Sequence, residues 1–168
     1  NEFGEVGVDG DIIEKTDESI VEMNNGCICC TVRGDLIKIL SDLKDRREKG
    51  SLKFERVIIE TTGLANPAPV LQTLLDRKVL LRGYTPGLVV TTVDAAHGLE
   101  TLKRHPEAVQ QVAMADRLLL TKPDLESGTA LRDMLAELNP NARLTTVLNG
   151  EIDPKEILHA SADDLGLL

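Results

Sequence analysis

The stretch RLLLTKPDL, Arg117 to Leu125, decides how this chain reads. Three consecutive leucines leave the run no polar face, which suits a strand covered on both sides, as in a parallel sheet flanked by helices. The run stops at Thr121-Lys122-Pro123-Asp124, a loop with both turn-forming and ligand-binding chemistry. GLVVTTVD (Gly87 to Asp94) has the same make-up. RVIIET (Arg56 to Thr61) and RLTTVL (Arg143 to Leu148) read as further strands, and SIVEMN (Ser19 to Asn24) as a more polar one.

Helical patterns fill the intervals. Over Asp35 to Lys49, Leu36, Leu40 and Leu43 recur at helical spacing, with Ile37 and Ile39 widening the stripe. Lys44, Arg46, Arg47 and Lys49 crowd the end where cations suit the helix dipole, and Gly50 is the expected stop. In NPAPVLQTLL, Asn66 is the expected N-cap and Pro67 the first helical residue. TALRDMLAELNP places Leu131, Met134, Leu135 and Leu138 on one face and stops at Asn139-Pro140. A short helix is expected after Pro154, and His105 before Pro106 marks another helix start. Strands alternating with helices define an α/β class with a mainly parallel sheet. A chain of 168 residues suffices for one such domain and is short for two.

Composition narrows the function. With 19 Lys and Arg against 28 Asp and Glu, the net charge is −9, which argues against generic binding to nucleic acid or an anionic membrane. An anionic nucleotide remains compatible, because backbone N–H groups alone can hold phosphate. Phe3, Phe54 and Tyr84 are the only aromatic residues, so the core is aliphatic. No apolar run approaches the roughly 18 residues of a membrane span. Three clustered cysteines do not resemble a secreted disulfide framework, so a reducing cytosol is the expected compartment.

In parallel α/β sheets, ligands bind at loops that follow the carboxyl ends of strands. IETTGLANP places Glu60 at such an end and Gly63 three residues on. A strand-end carboxylate can hold hydrated Mg²⁺, and a glycine lets its N–H approach a terminal phosphate. The plain alternative is a solvated glutamate and a turn glycine. In the Thr-Lys-x-Asp loop, Asp124 can accept from the N1–H and exocyclic amine of guanine. The methylene stem of Lys122 can cover the base, and Thr121 can brace the loop. A simple turn is the alternative there. VLNG (Val147 to Gly150) offers Asn149 and backbone groups to close a base pocket, and His97 follows the strand ending at Asp94.

Every cysteine lies in NNGCICCTVRGDL, Asn24 to Leu36. Adjacent Cys29 and Cys30 can bridge only with strain. Thiols just before a helix start are favoured as thiolates, the metal-binding form, and soft sulfur suits Zn²⁺ and similar divalent ions. Cys27, Cys29 and Cys30 leave a tetrahedral position for a carboxylate, a histidine, water or a partner. Buried small hydrophobes or a redox thiol switch are the two other uses of such a cluster.

NEFGEVGVD, NNGCICCTVRGDL, IETTGLANPAPV, VDAAHG and ADRLLLTKPDL occur in this order. Together they resemble the CobW family of P-loop GTPases and metallochaperones, relatives of the urease and hydrogenase nickel-insertion GTPases. The resemblance runs from Asn1 to about Gly150, and its most specific element is Gly-Cys-x-Cys-Cys. It implies a P-loop NTPase-like fold, GTP and Mg²⁺ as ligands, slow GTP hydrolysis, and a thiolate site for Zn²⁺, Co²⁺ or another divalent metal. By resemblance, Cys27, Cys29 and Cys30 hold the metal, with Glu2 or His97 as further candidates. Glu60 and Gly63 match the catalytic Mg²⁺ and γ-phosphate loop, and Lys122 and Asp124 match the guanine loop. A client metalloprotein is the implied partner, and oligomerisation is compatible.

One departure stands out. No Gly-x-x-x-x-Gly-Lys-Ser/Thr loop occurs in the chain, and in the family that loop and its strand precede the Asn-Glu-Phe-Gly segment. The family's C-terminal domain is absent too. The expectation is therefore a partial GTPase domain over residues 1–168, inactive in hydrolysis without that loop. Two other classes of function remain open: a non-enzymatic metal-binding or sensing module, and a thiol redox protein.

Overall fold

A computed structural model describes residues 31–126 and 128–158, with the backbone alone for residues 31–33. The expected strand at Ser19 to Asn24, the cysteine cluster, Glu2 and His159 lie outside the described residues. The chain divides into two compact units, Asn1–Thr85 and Pro86–Leu168.

In the first unit, α1 spans Thr31–Glu48, starting four residues before the expected Asp35. Its buried stripe is Leu36, Leu40 and Leu43, as the spacing predicts. Gly50 ends it at φ +74°, where the N–H of Ser51 reaches the carbonyl of Arg46 (2.9 Å) and that of Gly50 reaches Arg47 (3.0 Å). That pairing satisfies the last carbonyls of the helix, and a side chain at Gly50 would be strained. Ahead of α2 (Ala68–Leu74) the N-cap is Pro67, one residue later than the expected Asn66, and Asn66 Oδ1 accepts the N–H of Ala68 at 2.9 Å from just outside the helix. Asp76 caps the single-turn α3 (Arg77–Leu80) by accepting from the N–H of Lys78. Leu36, Leu40 and Val79 form the core, with Val57, Ile59, Val70, Leu74 and Tyr84 packed on it. The Tyr84 hydroxyl donates to the Leu40 carbonyl at 2.8 Å, and burial pushes its pKa up.

The expected strand Arg56 to Thr61 is a correction. Residues 56–61 pair with no strand among the described residues, although side-chain burial alternates along them: Val57 and Ile59 pack inward while Ile58 is 76% exposed. Consecutive β-branched residues favour an extended chain, but only ladder hydrogen bonds to a neighbour make it a strand. Among the described residues the sheet has three strands, and this segment is not one of them.

The second unit holds that sheet. Its strands are β1 (Val90–Asp94), β2 (Arg117–Thr121) and β3 (Arg143–Val147), in the order β1-β2-β3 and all parallel. β1 begins at Val90 rather than Gly87, and Val89 instead serves the turn before β2: its carbonyl accepts from the N–H of Asp116 at 2.8 Å. α4 (Gly98–Arg104) and α5 (Pro106–Ala113) connect β1 to β2, and α6 (Thr129–Leu138) connects β2 to β3. Register places Val93 beside Leu120, and Leu118 between Thr91 and Leu144. Leu102, Val112, Leu131 and Leu135 from the helices close the core over Val93, Leu118 and Leu120. Residues 117–120 of β2 are all buried, as a central strand requires.

Asn139, just past α6, ties two helices together. Its Nδ2 donates to the carbonyls of Val112 (2.8 Å) and Ala115 (2.9 Å) at the end of α5, and its Oδ1 accepts the N–H of Ala142. The short α7 (Pro154–Leu158) forms where Pro154 predicts it. Glu156 on it accepts the Nε–H of buried Arg117 through its carbonyl and pairs with Arg143 through its carboxylate. No helix among the described residues is long and apolar enough to cross a membrane.

Candidate functional site

Because β1, β2 and β3 are parallel and adjacent, their carboxyl ends share one side of the second unit. Thr121, Lys122 and Asp124 follow β2 there, Asp94 and His97 follow β1, and Asn149 follows β3. Lys122 (φ +55°) and Asn149 (φ +50°) are the two non-glycine residues with positive φ among those described. Asparagine tolerates this conformation, whereas for lysine it costs about 1 kcal/mol or more and needs compensation.

The compensation is visible at Asp94. Its Oδ2 accepts from Lys122 Nζ at 2.6 Å, while its Oδ1 accepts the N–H groups of Ala96 (2.8 Å) and His97 (3.1 Å). The Lys122 ammonium holds the Asp94 carboxyl well below the usual carboxylate range. The N–H groups of His97 and Ala96 add to this, against the opposing effect of burial. Thr121 Oγ1 donates to the Val93 carbonyl at 3.3 Å, and the Thr121 carbonyl accepts from Ala95 at 2.9 Å. The loops after β1 and β2 are thus joined by both backbone and side chains. Asp124 lies on the turn closed by the N–H of Leu125 on the Lys122 carbonyl (3.2 Å), and its side chain is exposed. His97 is exposed, with Nδ1 3.4 Å from Asp94 Oδ2.

Glu60 and Gly63 belong to the first unit and are both exposed, on either side of buried Thr62. A turn closes there through the N–H of Ala65 on the Thr62 carbonyl at 3.0 Å. A Cβ built at Gly63 would meet nothing within 4 Å, so packing among the described residues does not demand glycine there. No three or more His, Cys, Asp or Glu side chains group to hold a metal among the described residues. Asp94 and His97 alone do not make such a site, and the cysteines lie outside the described residues.

The sequence reading gave Asp94 only as a strand end. Its signals were a carboxylate two and three residues before the Ala96 and His97 amides, the spacing of an Asx turn, and a lysine just past the end of the adjacent strand. The left-handed backbone of Lys122 had no sequence signal, because lysine does not favour it.

Helix-connected parallel strands with shaped loops at their carboxyl ends define an open α/β nucleotide-binding domain. Residues 1–146 match the family model described as CobW/HypB/UreG, nucleotide-binding domain, and the chain belongs to that family. It is similar to the zinc chaperone YjiA of Escherichia coli, at 43% identity over 91% of this chain and 48% of that protein. It is also similar to the zinc-regulated GTPase metalloprotein activator 1 of Schizosaccharomyces pombe, at 34% identity over 95% of this chain and 41% of that protein. The zinc chaperone CobW of Pseudomonas aeruginosa is 31% identical over 100% of this chain and 45% of its own length. The crystal structure of Zn(II)-bound YjiA GTPase from E. coli superposes with a TM-score of 0.67 at 38% identity, covering 77% of this chain and 40% of that one. The chain thus spans about half the length of the curated relatives it matches.

Proposed function

We propose that this chain forms part of the GTP-binding domain of a cytosolic, zinc-handling metallochaperone GTPase. The observation that carries the reading is the Thr121–Asp124 loop at the end of the central strand β2. Its lysine is fixed in a left-handed conformation and its aspartate is exposed. A carboxylate so placed accepts from the N1–H and exocyclic amine of guanine, while the Lys122 stem lies against the base and Asn149 closes its edge. Glu60 would hold hydrated Mg²⁺, and the N–H of Gly63 would meet the terminal phosphate. Bound Mg²⁺ would neutralise charge on the phosphate oxygens. Cys27, Cys29 and Cys30, with Glu2, would carry zinc as cargo, with Co²⁺ as a chemically acceptable substitute. The named zinc function of the relatives supports this half of the reading. GTP and metal would then shift each other's affinity by the same factor, and a client metalloprotein would receive the ion.

The test uses the full-length protein. Asp124→Ala should weaken GTP binding by about 2 kcal/mol, roughly 30-fold, as for a lost charge-assisted donor pair. Co²⁺ should still give sulfur charge-transfer bands at one ion per chain. Replacing Cys27, Cys29 and Cys30 by Ser should abolish those bands and leave GTP binding to the apo protein in place. Equal affinity of the wild type for ATP and GTP would overturn the guanine assignment. An unchanged Co²⁺ spectrum in the triple-serine variant would overturn the metal assignment.

A further inference from the structure

We infer that Asp94 is a specificity-determining positioning residue: it fixes the backbone of the Thr121–Asp124 loop through Lys122, and so sets where Asp124 presents its carboxylate. The inference rests on the guanine-binding reading above and deepens it.

The geometry runs from the carboxylate outward. Asp94 ends β1, and its two oxygens divide their work. Oδ1 accepts two N–H groups of its own loop, Ala96 and His97, which fixes the carboxylate's orientation before Lys122 is considered. Oδ2 is then aimed across the strand pair, where Lys122 Nζ meets it at 2.6 Å. Register explains the reach, since Asp94 lies directly beside Thr121 and Lys122 is the first residue past the end of that neighbouring strand. The Asp94 side chain is 24% exposed, so the contact is partly shielded from solvent although the Lys122 side chain is 56% exposed. Lys122 needs such a hold because its φ of +55° is unfavourable for a side-chain-bearing residue. Released from Asp94, it can relax toward negative φ. Asp124, two residues on, would then be redirected, because a backbone rotation at one residue swings everything after it.

This separates Asp94 from residues that merely stabilise the domain. General destabilisation lowers the competent fraction for every nucleotide alike. Loosening the loop instead costs most for the base whose edge Asp124 reads. Inosine triphosphate lacks the exocyclic amine that guanine offers to Asp124, so the GTP-to-ITP affinity ratio reports how well that carboxylate is placed.

The experiment measures GTP and ITP affinity in the full-length protein for wild type, Asp94→Asn, Lys122→Met and the double variant. Asp94→Asn keeps an acceptor for Ala96 and His97 but loses the charge that holds Lys122. Lys122→Met keeps the stem and loses the ammonium. Each single variant should lower GTP affinity on the order of tenfold and compress the GTP-to-ITP ratio, and the double should be no worse than the poorer single. If Asp94→Asn does not fold, Asp94→Ser, which can also accept from the loop N–H groups, takes its place. Unchanged GTP affinity, an unchanged ratio, or additive losses in the double variant would each overturn the inference. Failure of the guanine reading looks different: the wild type would then show no preference for GTP over ITP.

Discussion

Two loops were expected to bind nucleotide, and the structure treats them differently. The loop after β2 is preformed: Lys122 is pinned by Asp94, Thr121 bonds the neighbouring strand, and β2 beneath it is buried. The segment leading to Glu60 and Gly63 has an equally apolar sequence, yet among the described residues it pairs with no strand, and Ile58 is exposed. The difference lies in neighbours rather than in propensity. β2 has a strand on each side, and its leucines meet helices. Sequence pattern sets which residues face inward, whereas rigidity at a strand's end comes from the strands beside it.

The contrast should appear most strongly in stability. Leu120 is fully buried in β2, whereas Ile58 is 76% exposed. Leu120→Ala should cost roughly 2–5 kcal/mol in urea unfolding, the range for a large-to-small change in a packed core. Ile58→Ala should cost within about 0.5 kcal/mol, as at an exposed position. A cost at Ile58 approaching that at Leu120 would break the comparison, since Ile58 would then be covered in the folded protein by residues outside those described.

A smaller effect tests how tightly the β1 loop is built onto the core. Gly98 opens α4, and a Cβ there would lie 2.8 Å from Val93 Cγ1 and 2.9 Å from Leu131 Cδ2. Val93 is β-branched and Leu131 is 2% exposed, so neither can move cheaply. Gly98→Ala should destabilise by about 1–3 kcal/mol through overpacking, partly offset by up to about 1 kcal/mol of helix propensity. Gly63→Ala meets nothing within 4 Å and should leave stability nearly unchanged. If the two glycines respond alike, the β1 loop is not seated as described.

How much of this was legible beforehand follows the same division. Continuous leucines in β2 and the stripe of Leu131, Met134, Leu135 and Leu138 announce a buried strand and an amphipathic helix, because burial is written in hydrophobic spacing. The helix stop at Gly50 was legible too, and the start of α2 to within one residue of Asn66, since few residue types meet those local demands. Pairing of residues 56–61 was not, because a ladder depends on a partner that the segment does not encode. The Asp94–Lys122 contact was hidden for a related reason. It joins residues 28 positions apart, and only the parallel register of β1 and β2 makes them neighbours.

The smallest predicted effect is the pH dependence of that contact. The folded-state pKa of Asp94 is lowered, chiefly by the Lys122 ammonium and then by the His97 and Ala96 amides. A carboxyl depressed on folding adds stability that is fully present above its unfolded value, about 3.9, and is lost as pH falls from there toward the folded value. Wild type and Asp94→Asn should therefore differ in unfolding free energy by a constant amount between about pH 5 and 7. The gap should narrow below about pH 4, because other carboxylates titrate alike in both proteins. Raising salt at neutral pH should shrink it as well, since the Lys122 side chain is 56% exposed and its charge is screened. A gap that stays constant into acid would mean that Asp94 holds the β1 loop through its N–H contacts alone. The firmness of the β2 loop would then have to come from Thr121 and the backbone rather than from the lysine.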